Sequence, residues 1–205
     1  MAPADTDSPP RATPVVLVVM GVSGCGKSTV AALLAGRLGW AFEEGDLLHP
    51  QSNIDKMAAG HPLDDSDRKP WLEKVAEWVE RQLDAGENGI ITCSALKRSY
   101  REVINRRGSE IIFVYLAGTR ELIAARLVSR HGHFMPPALL DSQFAALEAP
   151  TPDEPAIRMD VGPAPALIAR RCSSSATWQT STTCPGCPNR HYKKAATSRK
   201  CCTTR

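Results

Sequence analysis

The stretch Gly21-Val22-Ser23-Gly24-Cys25-Gly26-Lys27-Ser28 constrains this chain more than any other. Its spacing, G-x-x-x-x-G-K-[ST], is that of a phosphate-binding loop, which has its meaning where a strand runs into a helix. Both flanks comply. Val15-Val16-Leu17-Val18-Val19-Met20 is an apolar run of strand length, and Val30, Leu33 and Leu34 recur on a helical period between Thr29 and Arg37. Glycine admits positive φ and lets main-chain N–H groups approach phosphate oxygens at the positive end of the helix dipole. Lys27 is expected to reach the β- and γ-phosphates of ATP and Ser28 to ligate Mg²⁺, with Thr29 completing the nucleotide-binding stretch. A glycine turn without a ligand is the alternative, and the complete pattern with both flanks argues against it.

The 205 residues suffice for one domain with a substantial core. A hydrophobic share of 42% and a charged share of 23% are those of an ordinary globular protein. No run approaches the roughly 18 apolar residues of a membrane span, so no membrane partner and a cytoplasmic location are expected. The net charge is +3, but the last 34 residues, from Cys172 on, hold six basic and no acidic side chains. The preceding residues therefore carry −3, which argues against a nucleic-acid surface built into the fold. Cysteines divide in the same way: only Cys25 and Cys93 precede Cys172, so the body is not a disulfide scaffold.

Residues 1–14 hold four prolines among scattered charges and read as a disordered leader. Short apolar segments then alternate with helical patterns. Strands are expected at Trp40–Phe42, Ile90–Cys93, Ile111–Leu116 and Ala156–Val161, besides the one before the P-loop. Helices are expected at Gln51–Ala59, from Pro70 to Gly86, at Lys97–Arg107, Thr119–Arg130 and Leu139–Leu147. Trp71 and Trp78 belong to the apolar face of the second of these and read as core. This alternation predicts an α/β chain, a parallel sheet with helices on both faces and ligands at the strands' carboxyl ends.

Phosphoryl transfer to a hydroxyl requires a placed acceptor, neutralised phosphate charge and a group to take the hydroxyl proton. Asp46, just after the second strand, is the candidate base. Glu44 is a candidate to orient Mg²⁺ or its waters, against the plain alternative of solvated loop acids. Arg68 is a candidate clamp for an acceptor carboxylate, with an ion-pair network to Asp64, Asp65 and Asp67 as the competing reading. Lys97 and Arg101 add cations at another strand end. Arg126 and Arg130 lie four apart, on one helix face, before the Gly/His/Pro stretch 130–137, which is the arrangement of a lid carrying charge onto the triphosphate; a solvated basic face is the alternative. A cationic pocket opposite a phosphate site points to an anionic acceptor.

The chain resembles the bacterial-type gluconate kinases, a branch of the P-loop kinases related in fold to nucleoside monophosphate and shikimate kinases. The resemblance rests on Met20 to Ser28, Gly45-Asp46-x-Leu48-His49-Pro50, Asn53-x-x-Lys56-Met57 and Gly60-x-Pro62-Leu63. It continues through Asp67-Arg68-x-Pro70-Trp71-Leu72, Cys93-Ser94-Ala95-Leu96-Lys97 with Tyr100-Arg101, Gly132-His133-Phe134 and Gln143-Phe144-x-x-Leu147-Glu148. It implies a P-loop kinase domain over residues 15–171 that uses ATP and Mg²⁺ to phosphorylate the 6-hydroxyl of D-gluconate, commonly as a homodimer. Asp46, His49, Arg68, Lys97 and Arg101 are then the substrate-binding set, with Asp46, Lys27 and Arg130 catalytic. Glu148 receives no chemical role.

Such kinases end in a helix, which Leu167-Ile168-Ala169-Arg170 begins; from Cys172 the sequence departs from the pattern. Residues 172–205 are expected to be a disordered tail whose removal after Arg171 costs neither stability nor activity. Rival readings are a kinase for another small acid such as shikimate, an inactive P-loop protein, and a zinc or nucleic-acid binder using Cys184, Cys187, His191, Cys201 and Cys202.

Overall fold

The computed structural model describes residues 13–128 and 137–175. The leader through residue 12, the expected lid with Arg130, His131 and His133, and the cysteine-rich chain from residue 176 on lie outside the described residues. In chain order the elements are β1 (Val16–Met20), α1 (Lys27–Leu38), β2 (Ala41–Glu43), α2 (Gln51–Ala58), α3 (Asp65–Asp84), β3 (Gly89–Thr92), α4 (Arg98–Ile104), β4 (Ile111–Ala117), α5 (Arg120–Val128), α6 (Pro137–Ala146), β5 (Ala156–Asp160) and α7 (Pro165–Ser173). A short 3₁₀ turn, Gly45–Leu48, follows β2.

The five strands form one sheet in the order β2-β3-β1-β4-β5, every neighbouring pair parallel. Period-two alternation divides β1 between two cores. Leu17 and Val19 pack with Val30, Leu34, Val114, Ile168 and Cys172 on the face covered by α1 and α7. Val16, Val18 and Met20 pack with Trp71, Val75, Val79, Tyr100 and Ile104 on the face covered by α3 and α4. All five β1 side chains are fully buried, and full burial of each Val or Leu stabilises by about 1.5–3 kcal/mol. With β1 in the middle, the chain leaves it toward β3 on one side and β4 on the other. Its carboxyl end is the switch point where a crevice opens, and the P-loop starts there.

Three expected boundaries shift. The long helix begins at Asp65 rather than Pro70, because Asp64 and Asp67 form a reciprocal capping box: the Asp67 N–H donates to Asp64 Oδ1 (2.9 Å) and the Asp64 N–H to Asp67 Oδ2 (2.8 Å). Pro70 sits in its second turn, where it forgoes one backbone donor. The helix after β3 stops at Ile104 instead of Arg107; Arg106 and Arg107 turn back to pair with Glu73, Glu80 and Asp84 of α3 and with Glu110. The third correction concerns the carboxyl end. α7 runs to Ser173, and Cys172, taken as the first residue of the tail, is fully buried in the core shared with α1. A cut after Arg171 would remove that packed side chain. Burial pushes its thiol up to about 11.

Candidate functional site

The P-loop joins β1 to α1 with Gly21, Gly24 and Gly26 at φ of 139°, 80° and 102°. Two of these positions admit no side chain for a second reason. A Cβ on Gly21 would lie 2.9 Å from the Leu116 carbonyl oxygen, and one on Gly24 would lie 2.7 Å from the Leu127 side chain. At Gly26, the N-cap of α1, a Cβ would meet nothing within 4 Å, so the loop keeps open space at the helix start. Val22 and Cys25 turn inward and are buried, while Ser28 and Thr29 are exposed in the first turn of α1. Lys27 Nζ curls over the loop, 3.2 Å from the Gly21 carbonyl oxygen and 3.3 Å from that of Val22. Main-chain donors, a helix amino end and a lysine thus converge on one concavity, the composition of an anion cradle.

Gly45 and Asp46 are placed from below. The Gly45 N–H donates to Thr92 Oγ1 (3.1 Å), the Thr92 hydroxyl donates to Glu44 Oε1, and Trp71 Nε1 donates to the Gly45 carbonyl (2.7 Å). A Cβ on Gly45 would fall 1.9 Å from the Thr92 carbonyl oxygen, so only glycine lets the turn lie against β3. Asp46 stands exposed at the end of this rack. Cys93, just after β3, is fully buried, and burial is the main cause that drives its thiol up to about 12.

His49 stacks on Trp71, ring centroids 4.2 Å apart and planes 13° from parallel. Buried Asn53 donates through Nδ2 to the Asp67 carbonyl (2.8 Å), which fixes its amide orientation; the same nitrogen lies 3.2 Å from His49 Nδ1. His49 Nδ1 must then accept, and the imidazole proton resides on Nε2. Burial, ahead of the charges of Arg68 and Lys74, holds the His49 pKa below its ordinary 6.5 although Asp46 pulls it upward. His49 thereby lies against α3, the helix that carries Arg68, with Asp46 three residues before it in the chain.

Beside them opens a cavity of about 550 Å³, whose lining includes Asp65, Arg68, Lys97, Ser142 and Ala146. Lys97 Nζ reaches both oxygens of Asp65 (2.7 and 2.8 Å), and Arg68 Nη1 lies 4.0 Å from the same carboxylate. Lys97 and Arg68 also stand 5.4 and 5.9 Å from the Tyr100 ring centroid, and the Tyr100 hydroxyl donates to Asp65. Both readings of Arg68 therefore hold in part: it joins the acidic network and it lines the cavity.

Arg101 does not join them. It is 2% exposed, with Nε and Nη2 on the Glu154 carboxylate (2.5 and 2.9 Å) and Nη1 on the carbonyls of Ala95, Leu96 and Glu148. A guanidinium so engaged has nothing left to offer an acceptor, so its expected substrate role is corrected to a structural one. Burial works to raise the Glu154 pKa, but the Arg101 and Thr151 hydrogen bonds and the guanidinium charge hold it below the usual carboxylate range. Among the carbonyls that Arg101 anchors is that of Ala95, which has φ of +43°. Arg126 of α5 bonds the Val161 carbonyl (2.5 Å) just after β5.

Three contributors to the site are not legible in the sequence. Trp71 is core, as expected, yet it also orients Gly45 and His49; Asn53 fixes the imidazole; Gln143, far along the chain, accepts the Ser23 N–H at 2.7 Å. Their only signal was membership of polar or aromatic motif stretches, with nothing to say what each would touch. Asp65, expected among the partners of Arg68, also engages Lys97.

This sheet order with a P-loop after the central strand defines a P-loop kinase fold. A family model described as an AAA domain matches residues 16–150. A curated gluconokinase of Gluconobacter oxydans (strain 621H) is 54% identical over 146 residues, covering 71% of this chain and 82% of the relative. Among solved structures, a gluconokinase from Sinorhizobium meliloti 1021 superposes with a TM-score of 0.72 at 42% identity, covering 82% of this chain and 94% of that one. An unliganded sugar kinase from Janibacter sp. HTCC2649 gives 0.74 at 46%, covering 81% and 94%. The chain belongs to the gluconokinase family.

Proposed function

We propose that this chain transfers the γ-phosphate of ATP to the 6-hydroxyl of D-gluconate, yielding 6-phospho-D-gluconate and ADP. The observation that carries the reading is that α6 joins the P-loop, through Gln143 on the Ser23 N–H, to a cavity lined by Arg68 and Lys97, while His49 stacks on the helix that carries Arg68. The gluconate carboxylate pairs with Arg68 and Lys97, which place the sugar acid with its far hydroxyl toward Lys27. The hydroxyl oxygen forms the new bond to the γ-phosphorus as the bond to the β–γ bridging oxygen breaks. ADP leaves with that electron pair, and the hydroxyl proton passes to the Asp46 carboxylate and on to solvent. His49, neutral with its proton on Nε2, donates to a substrate hydroxyl. Lys27 leaves the carbonyls of Gly21 and Val22 to meet the β- and γ-phosphates, and Arg126 faces the nucleotide side.

Among the described residues no group of three or more His, Cys, Asp or Glu side chains could hold a metal ion. Ser28, exposed in the first turn of α1, would hold Mg²⁺ beside the phosphates, with Glu44 acting through water. When bound, the ion neutralises phosphate charge. No helix among the described residues is long and apolar enough to cross a membrane; a location where ATP is abundant, the cytoplasm, accords with the reaction.

ADP release across a panel of sugar acids and shikimate tests the assignment. Gluconate is expected to give the highest kcat/KM, and Asp46→Asn to lower kcat by about 10²–10⁴-fold. Preference for another acid would displace gluconate, and full activity in Asp46→Asn would remove Asp46 as the base.

A further inference from the structure

α6 touches both halves of the site. Toward the nucleotide, the Gln143 side chain enters the P-loop and accepts the Ser23 N–H at 2.7 Å, across 120 residues of sequence. Toward the acceptor, Ser142 and Ala146 of the same helix line the cavity with Arg68 and Lys97. Just beyond the helix, Glu148 grips the other wall at three atoms. Its N–H donates to the Leu96 carbonyl (2.9 Å), its Oε2 accepts the Arg98 N–H (2.7 Å) at the start of α4, and its carbonyl accepts Arg101 Nη1 (3.0 Å). Leu96 and Arg98 flank Lys97, so the position of that cation is set through Glu148. Leu140 is buried in the core and Phe144 packs against it, while the ion pair of Arg120 with Asp141 of α6 is exposed. Besides this core packing, α6 is attached through the two contacts that reach the substrate sites.

We propose that Gln143 is a positioning residue that ties the phosphate cradle, through α6 and Glu148, to the Lys97 wall of the acceptor cavity, so that filling either site favours filling the other. The physical reason is reciprocity. A triphosphate needs the P-loop N–H groups in one arrangement, and Gln143 Oε1 holds one of them. Any restriction that nucleotide imposes on Ser23 is passed to α6, and through residues 146–148 to the start of α4. By linkage, ordering that wall with an anionic acceptor restricts the P-loop equally. A glutamine suits this use, since it accepts from the loop while its amide nitrogen keeps two donors for a phosphate oxygen or an acceptor hydroxyl.

The proposal relies on the function proposed above only for the identity of the acceptor, so the experiment has two arms. In the first, a non-hydrolysable ATP analogue with Mg²⁺ is titrated calorimetrically into wild type and Gln143→Met, with and without saturating gluconate. The wild type is expected to bind the analogue roughly 5–150-fold more tightly when gluconate is present. In Gln143→Met, whose length is kept and whose hydrogen bond is lost, the factor should fall to within about twofold of unity. The second arm uses the analogue alone and follows amide hydrogen exchange over residues 94–101. Protection is expected in the wild type and its loss in Gln143→Met, with an unchanged melting temperature certifying the fold. Should Gln143→Met unfold, Gln143→Glu, which keeps an acceptor oxygen, is expected to fold and retain the protection. Protection that is absent in the wild type, or that survives in folded Gln143→Met, overturns the proposal. If gluconate does not bind but the exchange result stands, the acceptor has been misassigned and the tether remains.

Discussion

The two halves of the site are built differently. The proposed nucleotide half centres on one contiguous stretch, residues 21–29, which presents main-chain N–H groups, with Lys27 as the one basic side chain within it. The acceptor half takes Asp46 and His49 from the turn after β2, Arg68 from α3, Lys97 from the edge of α4 and Ser142 from α6, and acts entirely through side chains. Main-chain groups are placed by φ and ψ, which neighbouring residues dictate. Side chains from four elements are placed only by what packs beneath them, here Trp71, Asn53, Thr92 and the Arg101–Glu154 pair. The first kind of site is vulnerable to changes within itself; the second is also vulnerable to changes in residues that never meet a substrate.

The sharpest break of that contrast lies in Lys27→Ala. Removing the one basic side chain of the cradle is expected to lower kcat by about 10³-fold or more, because charge developing on the phosphates loses its partner. The circular dichroism spectrum and melting temperature should be unchanged, since the glycine-built backbone does not depend on it. A melting temperature that falls with activity would mean the cradle is not self-sufficient.

Arg101→Met tests the opposite half. It leaves the Glu154 carboxylate buried without its partner and is expected to cost about 3–5 kcal/mol of unfolding free energy in urea titrations. The double variant Arg101→Met with Glu154→Gln should recover much of that. If instead stability holds and only the gluconate KM rises, Arg101 meets the acceptor after all.

The smallest effect concerns His49. Its native pKa lies below 6.5, so the folded state binds that proton less readily than the unfolded chain. Its contribution to stability is fully present above pH 6.5 and is lost as pH falls from there through the lowered native value. Melting temperatures between pH 5 and 8 should therefore show a shallow decline on the acid side, flattened in His49→Gln. A decline of equal size in that variant would assign it to other groups.

How much could be read beforehand follows the same division. The P-loop, the strand before it and the alternation of strands and helices were legible because each is encoded within a few consecutive residues: φ-permissive glycines, period-two burial and helical periodicity. Asp46 and Arg68 could be nominated as polar residues at strand ends. Arg101 was nominated on the same grounds and proved to be a buried strut, because a guanidinium four residues from Lys97 looks identical in sequence whether it faces a cavity or Glu154, 53 residues on. Pro70 misled the helix start, since a capping box whose N-cap lies six residues earlier outweighs one missing donor. Cys172 read as tail because its neighbours are serines, yet one buried sulfur is enough to extend α7.

By itself, then, the sequence determined a parallel α/β frame with a triphosphate cradle after its central strand, because those depend on local backbone preference and short-range periodicity. Only the tertiary structure decided which cations line the cavity, which one is spent on the core, which tautomer His49 holds and that Gln143 enters the P-loop. Those outcomes depend on contacts between residues 14 to 120 positions apart, and a side chain's direction is fixed by its packing partners rather than by its neighbours in the chain.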